Sequence, residues 1–198
     1  INPHFLYNTL DAIIWLAEAG EQKRVVGMVR NLSDFFRTSL NQGKDINSIK
    51  EEMLHVKSYL EIQHVRYQDI LSYDIEVPEA LYIYSIPKIT IQPLVENALY
   101  HGIKNKRGMG HISIRGEAGE KDFTITVTDD GIGIDETRLR QVQSGIQNKV
   151  LTGKDFYGLY NVCERIRLNF GEEYGIFIES VYGEGTSVRV ILPYVEAK

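Results

Sequence analysis

The sequence is poor in cysteine and tryptophan, with one of each, Cys163 and Trp15, in 198 residues. A single cysteine excludes an intramolecular disulfide and suits a reducing compartment; Cys163 is expected to be a packed helix residue. No run of apolar residues reaches the length of a spanning helix, which needs about 18 or more. The first twenty residues lack the basic start and unbroken apolar stretch of a secretory signal. Basic charge is also in deficit. The formal net charge of −5 argues against non-specific nucleic-acid binding, so no nucleic-acid partner is expected. Repeats and low-complexity tracts are absent. Methionine is missing from the first position, Ile1, which leads to the expectation of a fragment cut from a longer protein. What is present is ordinary for a soluble globular protein. Hydrophobic residues make up 43% and charged residues 25%, enough to bury a core in one large or two small domains.

Residues 1 to about 70 read as helix. In "INPHFLYNTL" a wheel at 100° per residue gathers Leu6, Leu10, Ile13 and Ala17 into an apolar stripe. His4 falls almost opposite, on an arc with Asn8, Asp11, Trp15 and Glu18, and is expected to be exposed. With Asn2 as cap and Pro3 as first helical residue, His4 lies beside the positive end of the helix dipole, which favours an incoming phosphate. Alternatively a helix continues from upstream and Pro3 kinks it. After Gly20, a second stripe of Val25, Val29, Leu32, Phe36 and Leu40 runs to a stop at Asn41-Gln42-Gly43. Ser48 and Glu51 form a capping-box pattern ahead of a third stripe, Ile49, Met53, Val56 and Leu60. Two such stripes joined by a short polar turn describe a helical hairpin. A lone hairpin buries too little area, so pairing with a second copy into a four-helix bundle is expected.

From about residue 73 the texture changes. "SYDIEV" and "LYIYSI" alternate as strands do, and "IPKITIQPLVENALYHGI" returns to helix with a bend expected at Pro93. "GHISIRG" with "DFTITVTDD", and "YGIFIES" with "TSVRVILP", read as two strand pairs. Residues 134–155 read as a long mobile connection ahead of a helix over "YGLYNVCERIRLNF". The whole predicts an α+β architecture: the helical hairpin followed by a mixed-sheet sandwich covered by helices.

Four stretches carry chemistry. In "ENALYHG", Asn97 and His101 sit four apart on one helical face, where an amide oxygen suits Mg²⁺ and a histidine one turn on meets a phosphate oxygen. An ordinary polar helix face would read the same. In "TDDGIG", a carboxylate ends an apolar strand before two glycines and is placed to accept a hydrogen bond from an exocyclic amine; Asp-Gly also marks a common turn. In "DFYGLYNV", Gly158 stands where a loop becomes a helix whose free N–H groups suit phosphate, or where a helix start simply needs a glycine. "YGEGTSVRV" is a glycine turn into a strand.

In order and spacing, Asn…Asp-x-Gly-x-Gly…Gly-Leu…Gly-x-Gly-Thr over residues 85–193 resembles the nucleotide-binding fold shared by gyrase-type ATPases, Hsp90, MutL and histidine kinases. The resemblance implies that Asn97 holds Mg²⁺ and Asp129 reads the adenine amino group of ATP. It also implies that Gly131 and Gly133 shape the pocket, that Gly158 and Leu159 open the helix behind the lid, and that Gly185 and Thr186 form the last box. His101 and Lys104 would screen phosphate charge.

Taken with the first half, "INPHFLYNTLDAI" followed by "IQPLVENALYHGI" is similar to the LytS/YehU-type sensor histidine kinases over nearly the whole chain. What that implies is a homodimeric, ATP- and Mg²⁺-dependent protein-histidine kinase. Residues 1–72 would be its dimerisation and phosphotransfer part and residues 73–198 its catalytic ATP-binding domain. His4 would accept the γ-phosphoryl group and pass it to an aspartate of a response regulator. The fragment would be the cytoplasmic part of a membrane sensor whose spanning segments lie upstream. Two departures stand out. Phe156 occupies the usual first glycine of the lid box, and Phe5 follows His4 where other kinase families place an acid. Glu96 and Asp11 are therefore the candidates for the general base. The alternative is a degenerate kinase that acts as an ATP-binding switch without autophosphorylation. More distant readings are an ATP hydrolase in which Glu96 activates water and a purely structural dimerisation module.

Overall fold

The computed structural model describes residues 3–40, 45–148 and 157–197. Helices α1 (Pro3–Glu18), α2 (Gln22–Leu40) and α3 (Ile49–Arg66) come first. Gly20, at φ 75°, turns the chain between α1 and α2. Helices α2 and α3 pack together as the expected hairpin. α3 starts from the expected capping box, in which the Glu51 N–H donates to the Ser48 hydroxyl at 3.2 Å and the Ser48 N–H to the Glu51 carboxylate at 2.8 Å. Ile49, Met53, Val56 and Leu60 are buried as expected. Asn2 and the expected stop at Asn41-Gln42-Gly43 lie outside the described residues.

The stripes on α1 and α2 differ from the sequence reading by one position. The buried face of α1 is Phe5, Thr9, Ala12 and Leu16, while Leu10 is 43% exposed. On α2, Met28 and Phe35 are buried while Val29 and Leu40 are exposed. The cause is aromatic packing. The Phe5 ring lies 4.9 Å from Phe35 and 5.3 Å from Tyr59, and burying two large rings outweighs burying two aliphatic side chains. His4, one residue from Phe5, is exposed.

The second half is built on a five-stranded mixed sheet in the order β2-β4-β5-β7-β6, formed by β2 (Leu71–Glu76), β4 (Gly110–Ala118), β5 (Asp122–Asp129), β6 (Gly175–Val181) and β7 (Gly185–Pro193). β2 pairs with β4 in parallel and the other pairs are antiparallel. Alternate residues (Ile112 and Ile114, Phe123, Ile125 and Val127, Val188, Val190 and Leu192) are buried, the period-two pattern of a sheet with one covered face. Helices α4 (Ile91–Asn97), α5 (Glu136–Asn148) and α6 (Tyr157–Phe170) pack on it. Cys163 is buried in α6, as expected, and free.

Two expectations are corrected. "LYIYSI" holds only a three-residue strand, β3 (Ser85–Pro87), which pairs with β1 (Ile46–Ser48) beside the main sheet; a 3₁₀ turn over Glu79–Leu81 takes the start of that stretch. The expected long connection over 134–155 contains α5, whose Val142 and Ile146 are buried at helical spacing; residues 149–156 lie outside the described residues. Polar composition masked a short amphipathic helix.

The two halves share a core that runs from Phe5 in α1 to Leu192 in β7. Helix α3, buried on most sides, is the joint. Its fully buried Glu52 accepts the N–H groups of Ile89, Thr90 and Ile91 at 3.1, 2.7 and 2.9 Å. Those of Thr90 and Ile91 are among the groups that the start of α4 leaves unpaired, and a carboxylate there also meets the positive helix end. Ile89 stands at φ 56°, unusual for a β-branched residue. The Arg165 guanidinium on α6 holds it by donating to the carbonyls of Lys88 and Ile89 at 2.6 and 2.7 Å. Pro93 falls in the first turn of α4, where its missing N–H is tolerated, so the expected bend is not there. The irregularity comes later, as a π turn over Ala98–Gly102 and a 3₁₀ turn over Ile103–Asn105.

Glu52→Ala is expected to destabilise the fold by about 3 kcal/mol, the scale of orphaning buried donors that had a charged partner. Denaturant unfolding checks this, and an unchanged midpoint would show that the cap is dispensable.

Candidate active site

The π turn, the loop after β5, the start of α6 and the β6–β7 turn enclose a cavity of about 210 Å³. Asn97, His101, Asp129, Gly133, Leu159 and Thr186 all line it, six of the residues singled out in the sequence. They come from four separate segments of the chain. Gly131 and Gly185 support the wall, while Gly158 lies at the start of α6, where an added Cβ would meet only Pro93, at 3.7 Å.

Asp129 is the buried charge of the site, 5% exposed at the end of β5. Its Oδ1 accepts the Gly131 N–H at 2.8 Å. Burial pushes its carboxyl up from 3.8 to about 6, the Gly131 and Thr186 N–H groups pull the other way, and neighbouring Asp130 adds to the rise. Asp130 itself faces out and is bound by Lys106 at 2.8 Å and by the His111 N–H at 2.7 Å; burial raises its carboxyl most of any single cause, but Lys106 and His111 together outweigh it and hold the group below the usual range. Of the two carboxylates in "TDDGIG", the structure therefore turns the first inward.

Close backbone approach makes this possible. A Cβ on Gly102 would stand 2.4 Å from Asp129 Oδ1, and one on Gly131 would stand 2.4 Å from the Gly102 backbone. Gly133, at φ 66°, brings the loop against the carbonyl of Val181. The Ser180 hydroxyl joins the walls by accepting the Ile134 N–H at 2.9 Å and donating to the Gly185 carbonyl at 2.7 Å.

Asn97 is half-buried at the end of α4. Among the described residues no group of three His, Cys, Asp or Glu side chains could hold a metal ion. The Asn97 amide lines the cavity as a hard oxygen donor and so fits a Mg²⁺ that takes most of its shell from phosphate and water. Lys104 lies outside the lining; its ammonium sits over the rings of Tyr67 and Tyr100 at 4.9 and 5.0 Å and donates to the Tyr67 hydroxyl at 3.2 Å. Glu96 also lies outside it, taking a hydrogen bond from the Gln92 amide at 2.8 Å, with burial raising its carboxyl above the usual value.

Sequence reading missed Gly102, Asn105, Asp135, Arg138 and Tyr182, all in the cavity wall. Gly102 was visible as the last letter of "ENALYHG"; Arg138 and Tyr182 arrive through α5 and the β6–β7 turn, which no local pattern ties to the site.

On α1, the Asn8 amide nitrogen lies 3.1 and 3.0 Å from the two ring nitrogens of His4. A line of side chains links this end of α1 to the π turn. Phe5 stacks on Tyr59, and the Gln63 amide donates to the hydroxyls of Tyr59 at 2.8 Å and Tyr100 at 3.2 Å. Tyr100 belongs to the π turn between Asn97 and His101.

The family model described as histidine kinase-, DNA gyrase B-, and HSP90-like ATPase matches residues 87–196, and one described as histidine kinase matches residues 1–71. The chain belongs to this ATPase family. Within it, the chain groups with sensor histidine kinases of the LytS/YehU type. It is 38% identical over 193 residues to sensor histidine kinase YesM of Bacillus subtilis, covering 98% of this chain and 32% of that protein. To sensor protein LytS of Oceanobacillus iheyensis it is 31% identical over 199 residues, covering 100% of this chain and 34% of that protein. The chain thus spans about a third of the length of the curated relatives it matches. The catalytic domain of histidine kinase ThkA shares its fold at a TM-score of 0.55 and 15% identity, covering 77% of this chain and 97% of that one. The structure of ThkA in complex with response regulator protein TrrA matches 98% of this chain and 60% of that one at a TM-score of 0.54 and 16% identity.

The raised carboxyl of Asp129 gives this kinase-family fold a testable pH signature. The unfolded chain ionises this group near its ordinary value of 3.8 and the folded chain near 6, so the stability it contributes is full below the first value and lost as pH rises through the second. Relative to wild type, Asp129→Asn is expected to gain about 3 kcal/mol between about pH 4 and pH 7. Denaturant unfolding across that range checks this; parallel stability curves would contradict it.

Proposed function

We propose that this chain is the phosphotransfer and ATP-binding portion of a sensor histidine kinase, and that it phosphorylates itself on His4. The observation that carries the reading is the convergence of Asn97, His101, Asp129 and Thr186 on one cavity while an exposed histidine lies one residue from a line of side chains that ends at Tyr100, in the π turn beside it. In this reading Asp129 accepts the adenine amino group, and its buried position beside Gly131 excludes competing water. Asn97 holds Mg²⁺, which when bound neutralises charge on the phosphates. His101, at the exposed end of the π turn, faces the phosphates beside it.

His4 supplies a ring nitrogen lone pair, which must first be released by the Asn8 amide. The N–P bond forms at that nitrogen as the bond from the γ-phosphorus to the bridging oxygen of ADP breaks. The proton on the other ring nitrogen then leaves to a base. Glu96, whose raised carboxyl makes its anion a better proton acceptor, is the candidate. An aspartate of a response regulator then takes the phosphoryl group. ThkA, which matches this chain along almost its whole length, has been seen with such a regulator.

Residues 1–72 serve as the dimerisation and phosphotransfer part and residues 73–198 as the ATP-binding part, in line with matches that separate between residues 71 and 87. Leu10, Ile14 and Trp15 on α1 and Val29 on α2 are exposed apolar side chains suited to a second copy in a four-helix bundle. No helix among the described residues is long and apolar enough to cross a membrane. With relatives three times the length, the chain fits as the cytoplasmic part of a larger membrane sensor. Phe156, the residue that favours a non-catalytic switch, lies outside the described residues.

Incubation with Mg·ATP labelled on the γ-phosphate is expected to place one acid-labile, base-stable phosphoryl group on the chain. His4→Gln abolishes the label with ATP binding retained, and Asn97→Ala abolishes it through the metal site. A His4→Gln chain that labels as well as wild type would refute the assignment, and steady ATP hydrolysis without label would favour the hydrolase reading.

A further inference from the structure

Histidine 55 lies on α3, is 1% exposed, and belongs to none of the steps above. Its ring stacks on Phe35 of α2 at 4.6 Å. Both its nitrogens are engaged, Nδ1 with the Thr38 hydroxyl on α2 at 2.8 Å and Nε2 with Gln92 Oε1 on α4 at 2.6 Å. The Gln92 amide nitrogen then donates to Glu96 Oε1 at 2.8 Å. Four side chains on three helices thus form one unbroken line from the hairpin to the residue beside Asn97.

The chemistry of the groups gives the line a direction. The Gln92 NH₂ group donates to Glu96 and the Gln92 carbonyl oxygen faces His55. That oxygen can only accept, so His55 carries its proton on Nε2. Nδ1 then holds the lone pair and takes the single Thr38 proton, in competition with the Asp34 and Phe35 carbonyls, which lie 2.8 and 3.1 Å from the same hydroxyl. With the Thr38 proton on Nδ1, the three links run in one direction toward Glu96, and aligned hydrogen bonds polarise one another.

We propose that Thr38, His55 and Gln92 are positioning residues for phosphoryl transfer: the seating of α2 on α3 sets the orientation of the Glu96 carboxylate, and with it the rate of transfer to His4, without setting nucleotide affinity. This rests on the kinase reading given above. The line avoids the cavity wall, to which none of its four side chains belongs. A shift of α2 that breaks the Thr38 link leaves the adenine and metal positions in place while loosening the His55 ring against which the Gln92 amide is held. A signal arriving at the hairpin therefore acts on transfer rate through side chains rather than through the nucleotide.

The test uses Thr38→Val, close in shape to threonine but without the donor, with Thr38→Ser and Gln92→Met beside it. Nitrogen-15 NMR of the ring of His55 needs neither nucleotide nor turnover. The expected result is the Nε2-protonated tautomer in wild type and in Thr38→Val, with the lone-pair Nδ1 resonance displaced in the variant, where its hydrogen-bond donor is gone. In autophosphorylation, Thr38→Val and Gln92→Met are expected to lower the rate at saturating ATP roughly tenfold, the scale of one buried hydrogen bond, with KM for ATP unchanged and with Thr38→Ser restoring the rate. A His55 protonated on Nδ1 in wild type, or variants that move KM in proportion to rate, would overturn the relay. A labelled wild-type chain with an unaffected Thr38→Val variant overturns the relay alone. A wild-type chain that takes no label defeats the kinase reading, and the claim about transfer rate with it.

Discussion

A buried carboxylate on one helix capping the start of another holds the two halves of this molecule in register. Glu52 on α3 receives three backbone N–H groups at the start of α4, and α4 ends at Asn97, the residue that fits the metal. Without that cap, the short helix would enter the core with its first donors unpaired, at a cost its seven residues could not recover through their own hydrogen bonds. The left-handed Ile89 and the Arg165 guanidinium belong to the same junction. Position along α4 is therefore set from the hairpin side, and the cavity inherits it.

The site itself shows the opposite bias, toward function over stability. Asp129 is buried where its ionised form is penalised, and three glycines crowd against it so that its carboxylate reaches the cavity. A neutral or smaller residue would pack there more comfortably. A carboxylate that costs stability at neutral pH and faces a cavity is what the proposed recognition of an adenine amino group would use.

Much of the site was legible in the sequence because its parts are local. Asn97 and His101 share a helix face four residues apart, and Asp129 ends a strand before its glycines, so each box could be read in place. The alternation of β4, β5 and β7 was equally direct, since one covered face leaves a period of two. What failed had a tertiary cause. The apolar stripes of α1 and α2 were one position out because Phe5 and Phe35 turn inward toward Tyr59, a contact that no helical wheel contains. α5 was hidden by polar composition, and β3 exists only because β1 lies beside it. The relay through His55 joins residues up to 58 positions apart, from Thr38 to Glu96, and only folding brings them into line.

In the proposed function, one cavity holds a nucleotide through Asp129 and Asn97. A crystal structure of the chain with Mg²⁺ and a non-hydrolysable ATP analogue tests it most directly. The adenine amino group is expected on the Asp129 carboxylate and the metal on the Asn97 amide oxygen. A nucleotide seated elsewhere, or bound with Asp129 facing only water, would contradict it.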